Sequence, residues 1–383
     1  MVSTAPARMD KVKPSIVLIG PTAPRFKGGI VHYTQSLYLE LKKEHYRVAM
    51  VGFKRGYPAR FFPGAKTPSP DSLFHFGNGI EQLDWLNPVT WWQTVRFIVK
   101  KKPEIVICQW WTWFWTLPFW FVLLGIKLLS RSKIVIIAHN HFDHEQALYK
   151  RWCSHLILAQ ADIIVVHNKE IQRDLHQLMP DKKIRLTFHP LYHFFKQDRI
   201  TQAQAQSHLK LHSPLLLFFG HVRPYKGLNV LLQALSQLWR KGQKINLLIA
   251  GEFWEDKQKY WQMIKPKFRA RVKIIDRYLA DSEVAWYFVA CDAVVIPYLA
   301  GSGSGPAKIA LTFDKPLLAT DVADNPDLFA LGKVGVLVKS GQVNALATGI
   351  KQVLQNKGQF TSEIKRIKPK LTWQQLAKTI IEK

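Results

Sequence analysis

The chain has 383 residues, 48% of them apolar and 21% charged; that composition excludes disorder as the main state, and the length suits two domains of about 150–200 residues. Lysine and arginine total 54 against 27 aspartate and glutamate, a formal charge of +27. The excess is even along the chain, with 28 basic and 14 acidic residues up to position 200 and 26 and 13 beyond it, which suits a polyanionic partner: a phosphate-bearing ligand, an anionic membrane or a nucleic acid.

Apolar, β-branched runs predict strands at 16–19, 46–53, 105–109, 134–139 and 163–167, with a helix over 31–43 and helical stretches between the others. A polar segment, 196–213, reads as a linker. The alternation then restarts, with strands at 215–220, 245–251, 272–275, 293–297, 315–320 and 335–338, and helices at 227–241 and 282–290. This pattern predicts an α/β chain of two doubly wound parallel sheets. Such pairs bind a ligand in the cleft between them, at the carboxyl ends of their strands.

Cys108, Cys153 and Cys291 form no CxxC pair, so neither a zinc ribbon nor a disulfide framework is indicated. A reducing, cytoplasmic setting is expected, and residues 1–14 lack the apolar core of a secretory signal. Trp110, Trp111, Trp113, Trp115 and Trp120 crowd the start of an uncharged stretch, 110–126, which ends at Ile126 just before Lys127, Arg131 and Lys133. It is short for a membrane span and is cut by Pro118. Tryptophan prefers the headgroup level, so peripheral contact with a membrane is expected here, against the plainer reading of a buried crossover helix.

Four loops carry chemistry. Lys27, Gly28 and Gly29 follow the first strand and open the first helix, where backbone amides and the helix end attract phosphate. Gly220, His221, Val222, Arg223, Pro224, Tyr225, Lys226 and Gly227 repeat that setting in the second unit. There Arg223 can grip phosphate through two parallel N–H bonds and Lys226 acts as a point charge. Residues 301–305 read Gly-Ser-Gly-Ser-Gly, a nest of small residues, and miss the dinucleotide spacing GxGxxG by one position. Finally, His139, His141, Asp143 and His144 fit HxHxDH, the ligand pattern of a metal-dependent hydrolase; that fold, however, is a sandwich of mixed sheets.

With these motifs in place, nearly the whole chain resembles a retaining GT-B glycosyltransferase of the family 4 kind. Lys27-Gly28-Gly29 is similar to that family's donor loop. Gln109-Trp110-Trp111, His139-Asn140 and His144-Glu145 resemble a subgroup pattern that explains the histidines without a metal. The strongest match is the segment from Phe218 to Gly227, joined by Gly251-Glu252, Ser304-Gly305 and Lys315-Pro316. The resemblance implies an acceptor-side domain over 1–205, a donor domain over 206–370 and a helix over 371–383 returning to the first. It implies His139, Arg223 and Lys226 as catalytic residues, with Gly28, Gly29, Gly220, Arg223, Lys226, Gly251, Ser304 and Gly305 binding a nucleotide-diphosphate sugar, and no metal or cofactor. The acceptor is expected to be a sugar or a lipid-linked sugar at the inner membrane face. Gly301 and Ile309 stand where many members carry a Glu-x7-Glu pair, so a scaffold without turnover is an alternative. Nucleic acid is not an expected partner, because the aromatics cluster with apolar residues and do not interleave with cations.

Overall fold

The computed structural model describes residues 13–23, 25–56, 79–139, 148–196 and 200–382. Its N-terminal strands are β1 Ser15–Ile19, β2 Arg47–Phe53, β3 Gly79–Leu83, β4 Ile105–Trp110, β5 Lys133–Ala138, β6 Ile163–Val166 and β7 Lys183–Leu186. Its C-terminal strands are β8 Leu215–Phe219, β9 Asn246–Ala250, β10 Val272–Ile275, β11 Ala293–Ile296, β12 Leu317–Thr320 and β13 Gly335–Val338. Among the described residues they form two parallel sheets, ordered β3-β2-β1-β4-β5-β6-β7 and β10-β9-β8-β11-β12-β13. In each, the strand order reverses beside the first strand, between β1 and β4 and between β8 and β11. This is the predicted pair of doubly wound domains, and the carboxyl ends at each reversal are where such sheets take ligands.

Central strands such as β1 (Ser-Ile-Val-Leu-Ile) are buried after their first residue, because helices cover both faces of a parallel sheet and no polar side is needed. One apolar core runs through the inner layers of both domains, from Tyr33 and Leu37 to Leu217, Val294 and Ile364. Helix Trp373–Ile381 lies against the first domain: Trp373 Nε1 donates to the Leu191 carbonyl at 2.8 Å and Leu191 N to the Leu371 carbonyl at 3.0 Å.

One segment differs from the sequence reading and another divides between its two readings. Within 196–213, residues Gln202–Leu209 form a helix with a capping box made by Thr201 and Gln204. Gln202 and Gln206 donate to the Ala290 carbonyl, so this stretch is fastened to the second domain and is not a free linker. The tryptophan-rich stretch divides as well. Trp110 ends β4, and Trp115 stacks on Phe53 with ring centroids 4.3 Å apart; both belong to the core. Helix Thr116–Leu129 is the crossover between β4 and β5 and buries Phe119, Val122, Leu123 and Ile126. Among the described residues no helix is long and apolar enough to cross a membrane.

Candidate active site

The carboxyl ends of the two sheets enclose a cavity of about 460 Å³, lined by both domains. Gly28 and Gly29 line it where helix Gly29–Lys43 starts. Opposite them, the chain leaving β8 passes Gly220 and His221, runs extended at Arg223, and winds into a short 3-10 turn, Pro224–Lys226. Gly227 then has φ 70°, and a Cβ there would stand 1.9 Å from the Pro297 carbonyl oxygen. The loop can therefore lie flat on the end of β11, where Leu299 N donates to the Tyr225 carbonyl at 2.7 Å. Gly251 works the same way: φ is 147°, and a Cβ would meet the Gly220 carbonyl oxygen at 2.1 Å. The ends of β8 and β9 are thus brought close by the lack of a side chain.

This packing aims Arg223 and Lys226 into the cavity. Among the described residues neither meets a carboxylate. The Arg223 guanidinium lies 3.7 Å from the Trp254 ring centroid, and Lys226 Nζ lies 3.6 Å from that of Tyr298. The acidic groups nearby are engaged elsewhere. Glu252 faces His221 Nε2 at 3.7 Å and accepts from Trp254 Nε1 at 3.1 Å. Asp324 accepts from Lys308 Nζ and from Ser304 N. Asp281 binds His32 Nε2 at 2.9 Å across the cavity, joining the two domains. Among the described residues Arg223 and Lys226 are in no ion pair. Burial first, and Arg223 next, hold the Lys226 ammonium down to about 7, with Asp324 pulling the other way. Burial, then Arg223, Lys226 and Lys27, press His221 down to about 4. Half-buried positive charge left over in a desolvated cleft suits an anion.

Of the sequence-derived site residues, Gly28, Gly29, Gly220, Arg223, Lys226, Gly251 and Gly305 all line this one cavity. Ser304 stands just behind it: its Oγ accepts from Ala307 N and caps helix Gly305–Thr312. Gly301 and Ile309, the positions without glutamate, are both in the wall. His139 is not. It follows β5, hydrogen-bonded to Gln109 Oε1 at 2.5 Å, with its ring 4.5 Å from Tyr33.

His139 belongs to a group that sequence spacing did not reveal. With His167 and His189 it surrounds Tyr33, at ring distances of 4.5, 5.4 and 5.2 Å. Burial drives His139 and His189 well below the ordinary imidazole value and His167 to about 4. They are neutral imidazoles: His167 Nδ1 donates to the Thr187 carbonyl at 2.9 Å, so Nε2 accepts from the Tyr33 hydroxyl at 3.0 Å. His189 Nε2 lies 3.1 Å from the Tyr192 hydroxyl, and Tyr192 reaches the cavity wall beside Gly29. Among the described residues no three His, Cys, Asp or Glu side chains are grouped to hold a metal ion. Asn140, His141, Asp143, His144 and Glu145 lie outside the described residues.

Two family models match the chain: Glycosyltransferase Family 4 over residues 27–191 and Glycosyl transferases group 1 over residues 200–370. The chain belongs to the group 1, family 4-like glycosyltransferases. Among curated relatives of this family, a D-inositol 3-phosphate glycosyltransferase of Corynebacterium aurimucosum is 24% identical over 228 residues, 56% of this chain and 53% of that protein. A GDP-mannose:glycolipid 4-beta-D-mannosyltransferase of Xanthomonas campestris is 31% identical over 104 residues, 27% of this chain and 29% of that protein. The chain thus spans less than two thirds of the length of the curated relatives it matches. Similar solved structures confirm the GT-B fold. A sucrose-phosphate synthase from Thermosynechococcus elongatus has a TM-score of 0.70 at 18% identity, covering 95% of this chain and 96% of its own. HepE of Anabaena in complex with UDP has a TM-score of 0.69 at 16% identity, covering 95% and 99%.

Proposed function

We propose that this family 4-like chain transfers a sugar, with retention of configuration, from a nucleotide-diphosphate sugar to a lipid-linked or other sugar acceptor at a cytoplasmic membrane face. The observation that carries the reading is the pair Arg223 and Lys226: two cations without carboxylate partners, facing a glycine-lined cleft and the start of helix Gly29–Lys43. A pyrophosphate there would place its negative charges beside both cations. When the bond between the sugar's anomeric carbon and the phosphate oxygen breaks, negative charge grows on that oxygen, and Arg223 and Lys226 stabilise it. The acceptor hydroxyl oxygen forms the new bond on the same face, and its proton passes to the departing phosphate. No separate protein base and no cofactor is then required, and side-chain cations take the place of a metal ion. The HepE complexes with UDP and with UDP-glucose support a nucleotide-sugar donor, and the matched glycolipid mannosyltransferase supports a lipid-linked acceptor.

The family resemblance assigns His139 to the transferred sugar or the acceptor and not to the pyrophosphate; its ring packs on Tyr33, outside the lining of the cavity. His139→Ala should therefore reduce transfer more than nucleoside-diphosphate binding. The reading as a whole is tested by thermal shift with a panel of nucleoside diphosphates and their sugars, followed by product analysis. A ligand of the folded state raises the melting temperature in proportion to its affinity. The expected result is a rise with at least one nucleotide sugar, lost in Arg223→Ala and Lys226→Ala. Binding without turnover of any donor would instead make the chain a non-catalytic scaffold, as Gly301 and Ile309 allow; no shift with any nucleotide would overturn the proposal.

A further inference from the structure

The crossover helix Thr116–Leu129 reads Thr-Leu-Pro-Phe-Trp-Phe-Val-Leu-Leu-Gly-Ile-Lys-Leu-Leu, with Lys127 its single charge. A helix apolar all the way round belongs in a core. This one meets the core on one side only. Leu117 and Leu128 on the other side are 66% and 73% exposed, and Leu129 is exposed with them. The neighbouring helices continue the face: Val89 and Trp92 on Pro88–Lys101 and Trp152 on Leu148–Leu158 are exposed too. Of the twelve large apolar side chains exposed among the described residues, eight lie on these three helices and the residues next to them.

Charge selects the partner. Across the described residues 85–132 there are six cations, Arg96, Lys100, Lys101, Lys102, Lys127 and Arg131, all exposed, and one carboxylate, Glu104. An uncovered apolar stripe flanked by cations and edged by tryptophan fits the interface of an anionic bilayer. A second copy of the chain would bring the same six cations against themselves. Each helix also starts at the carboxyl end of its sheet, so Trp92, Leu117 and Trp152 lie at the end of the domain that faces the cleft. His139, whose N donates to the Trp110 carbonyl at 2.9 Å, is at that same end.

We infer that the outer face of helices Pro88–Lys101, Thr116–Leu129 and Leu148–Leu158 is a docking surface for an anionic lipid bilayer. The inference deepens the lipid-linked acceptor reading, and vesicle binding tests it without any donor or turnover. The full chain is sedimented with vesicles of phosphatidylcholine alone or with phosphatidylglycerol added. The wild type should bind the anionic vesicles, more weakly as salt is raised, and leave the neutral ones largely in solution. Leu117→Glu with Leu128→Glu should weaken binding more than tenfold, and Lys127→Gln about fivefold, the share of one cation near an anionic surface. Because both leucines are exposed, thermal melting and the nucleoside-diphosphate shift should be unchanged, so failure to dock and failure to bind donor are told apart. No vesicle binding by the wild type, or equal binding by the Leu117→Glu, Leu128→Glu variant, would overturn the inference. So would a dimer in sedimentation that these substitutions abolish without any vesicle binding, since the face would then belong to a second copy.

Discussion

Donor affinity should fall as the pH rises through neutrality, because Lys226 has to be protonated to hold a pyrophosphate. Burial and Arg223 bring this ammonium from 10.5 to about 7. At about pH 6 it is then roughly nine-tenths charged, and at about pH 8 roughly one-tenth. A nucleotide sugar does not itself titrate in this range. If only the charged form binds well, the apparent dissociation constant rises about tenfold over those two pH steps. His221, held down to about 4, stays neutral over this range. Calorimetric titration in two buffers of different ionisation enthalpy reads the proton directly: about half a proton taken up per donor at pH 7 and close to one at pH 8. Lys226→Arg keeps a permanent charge and should flatten the profile. A wild-type affinity independent of pH between 6 and 8, with no proton uptake at 8, would refute this reasoning.

The same residue fixes the sign for stability. Its folded value lies below the unfolded 10.5, so between about pH 7 and 10.5 the unfolded chain binds more protons and stability rises with pH. Below that window the full penalty applies: at most roughly 5 kcal/mol, and less after solvent screening of a half-buried group. Lys226→Met should raise the melting temperature measured without added nucleotide at pH 7 and below while removing donor binding. Arg223→Lys keeps the charge but loses the flat stacking on Trp254, and should weaken donor binding at least tenfold in equilibrium titration, with Trp254→Ala close behind. Gly251→Ala sets a Cβ 2.1 Å from the Gly220 carbonyl oxygen at φ 147°; urea denaturation should show a loss of about 2–4 kcal/mol, and donor binding should drop with it. Asp324→Asn leaves the buried Lys308 ammonium without its counter-charge, a cost of about 3–5 kcal/mol that Lys308→Met in the same chain should largely restore.

Much of the fold was legible because buried parallel strands are continuous apolar runs. β1, β4, β5, β8 and β11 are buried nearly from end to end and stand out in the sequence. The edge strands of the first sheet were not predicted, although those of the second, β10 and β13, were: Gly-Ile-Glu-Gln-Leu of β3 and Lys-Ile-Arg-Leu of β7 are half solvated, and so short and mixed that they resemble loops. The helix Gln202–Leu209 was hidden in a polar run because only Ala205 and Leu209 are buried; its capping box, Thr201 and Gln204, was the signal to read. In the site, glycine loops after strands were visible because they obey local rules. The partners that define the electrostatics were not. Trp254 and Tyr298 take up Arg223 and Lys226 through tertiary packing, and His32 meets Asp281 from nearly 250 positions away. The histidine group around Tyr33 is assembled from the ends of three strands, a proximity that only sheet order supplies.

The most direct measurement is a crystal structure of the chain with a nucleoside diphosphate bound. The two phosphates should lie between the loop at Gly28 and Gly29 and the turn Pro224–Lys226, with oxygens in hydrogen-bonding reach of both the Arg223 guanidinium and Lys226 Nζ. A diphosphate seated elsewhere, with those two side chains still resting on Trp254 and Tyr298 and touching no phosphate oxygen, would contradict the account.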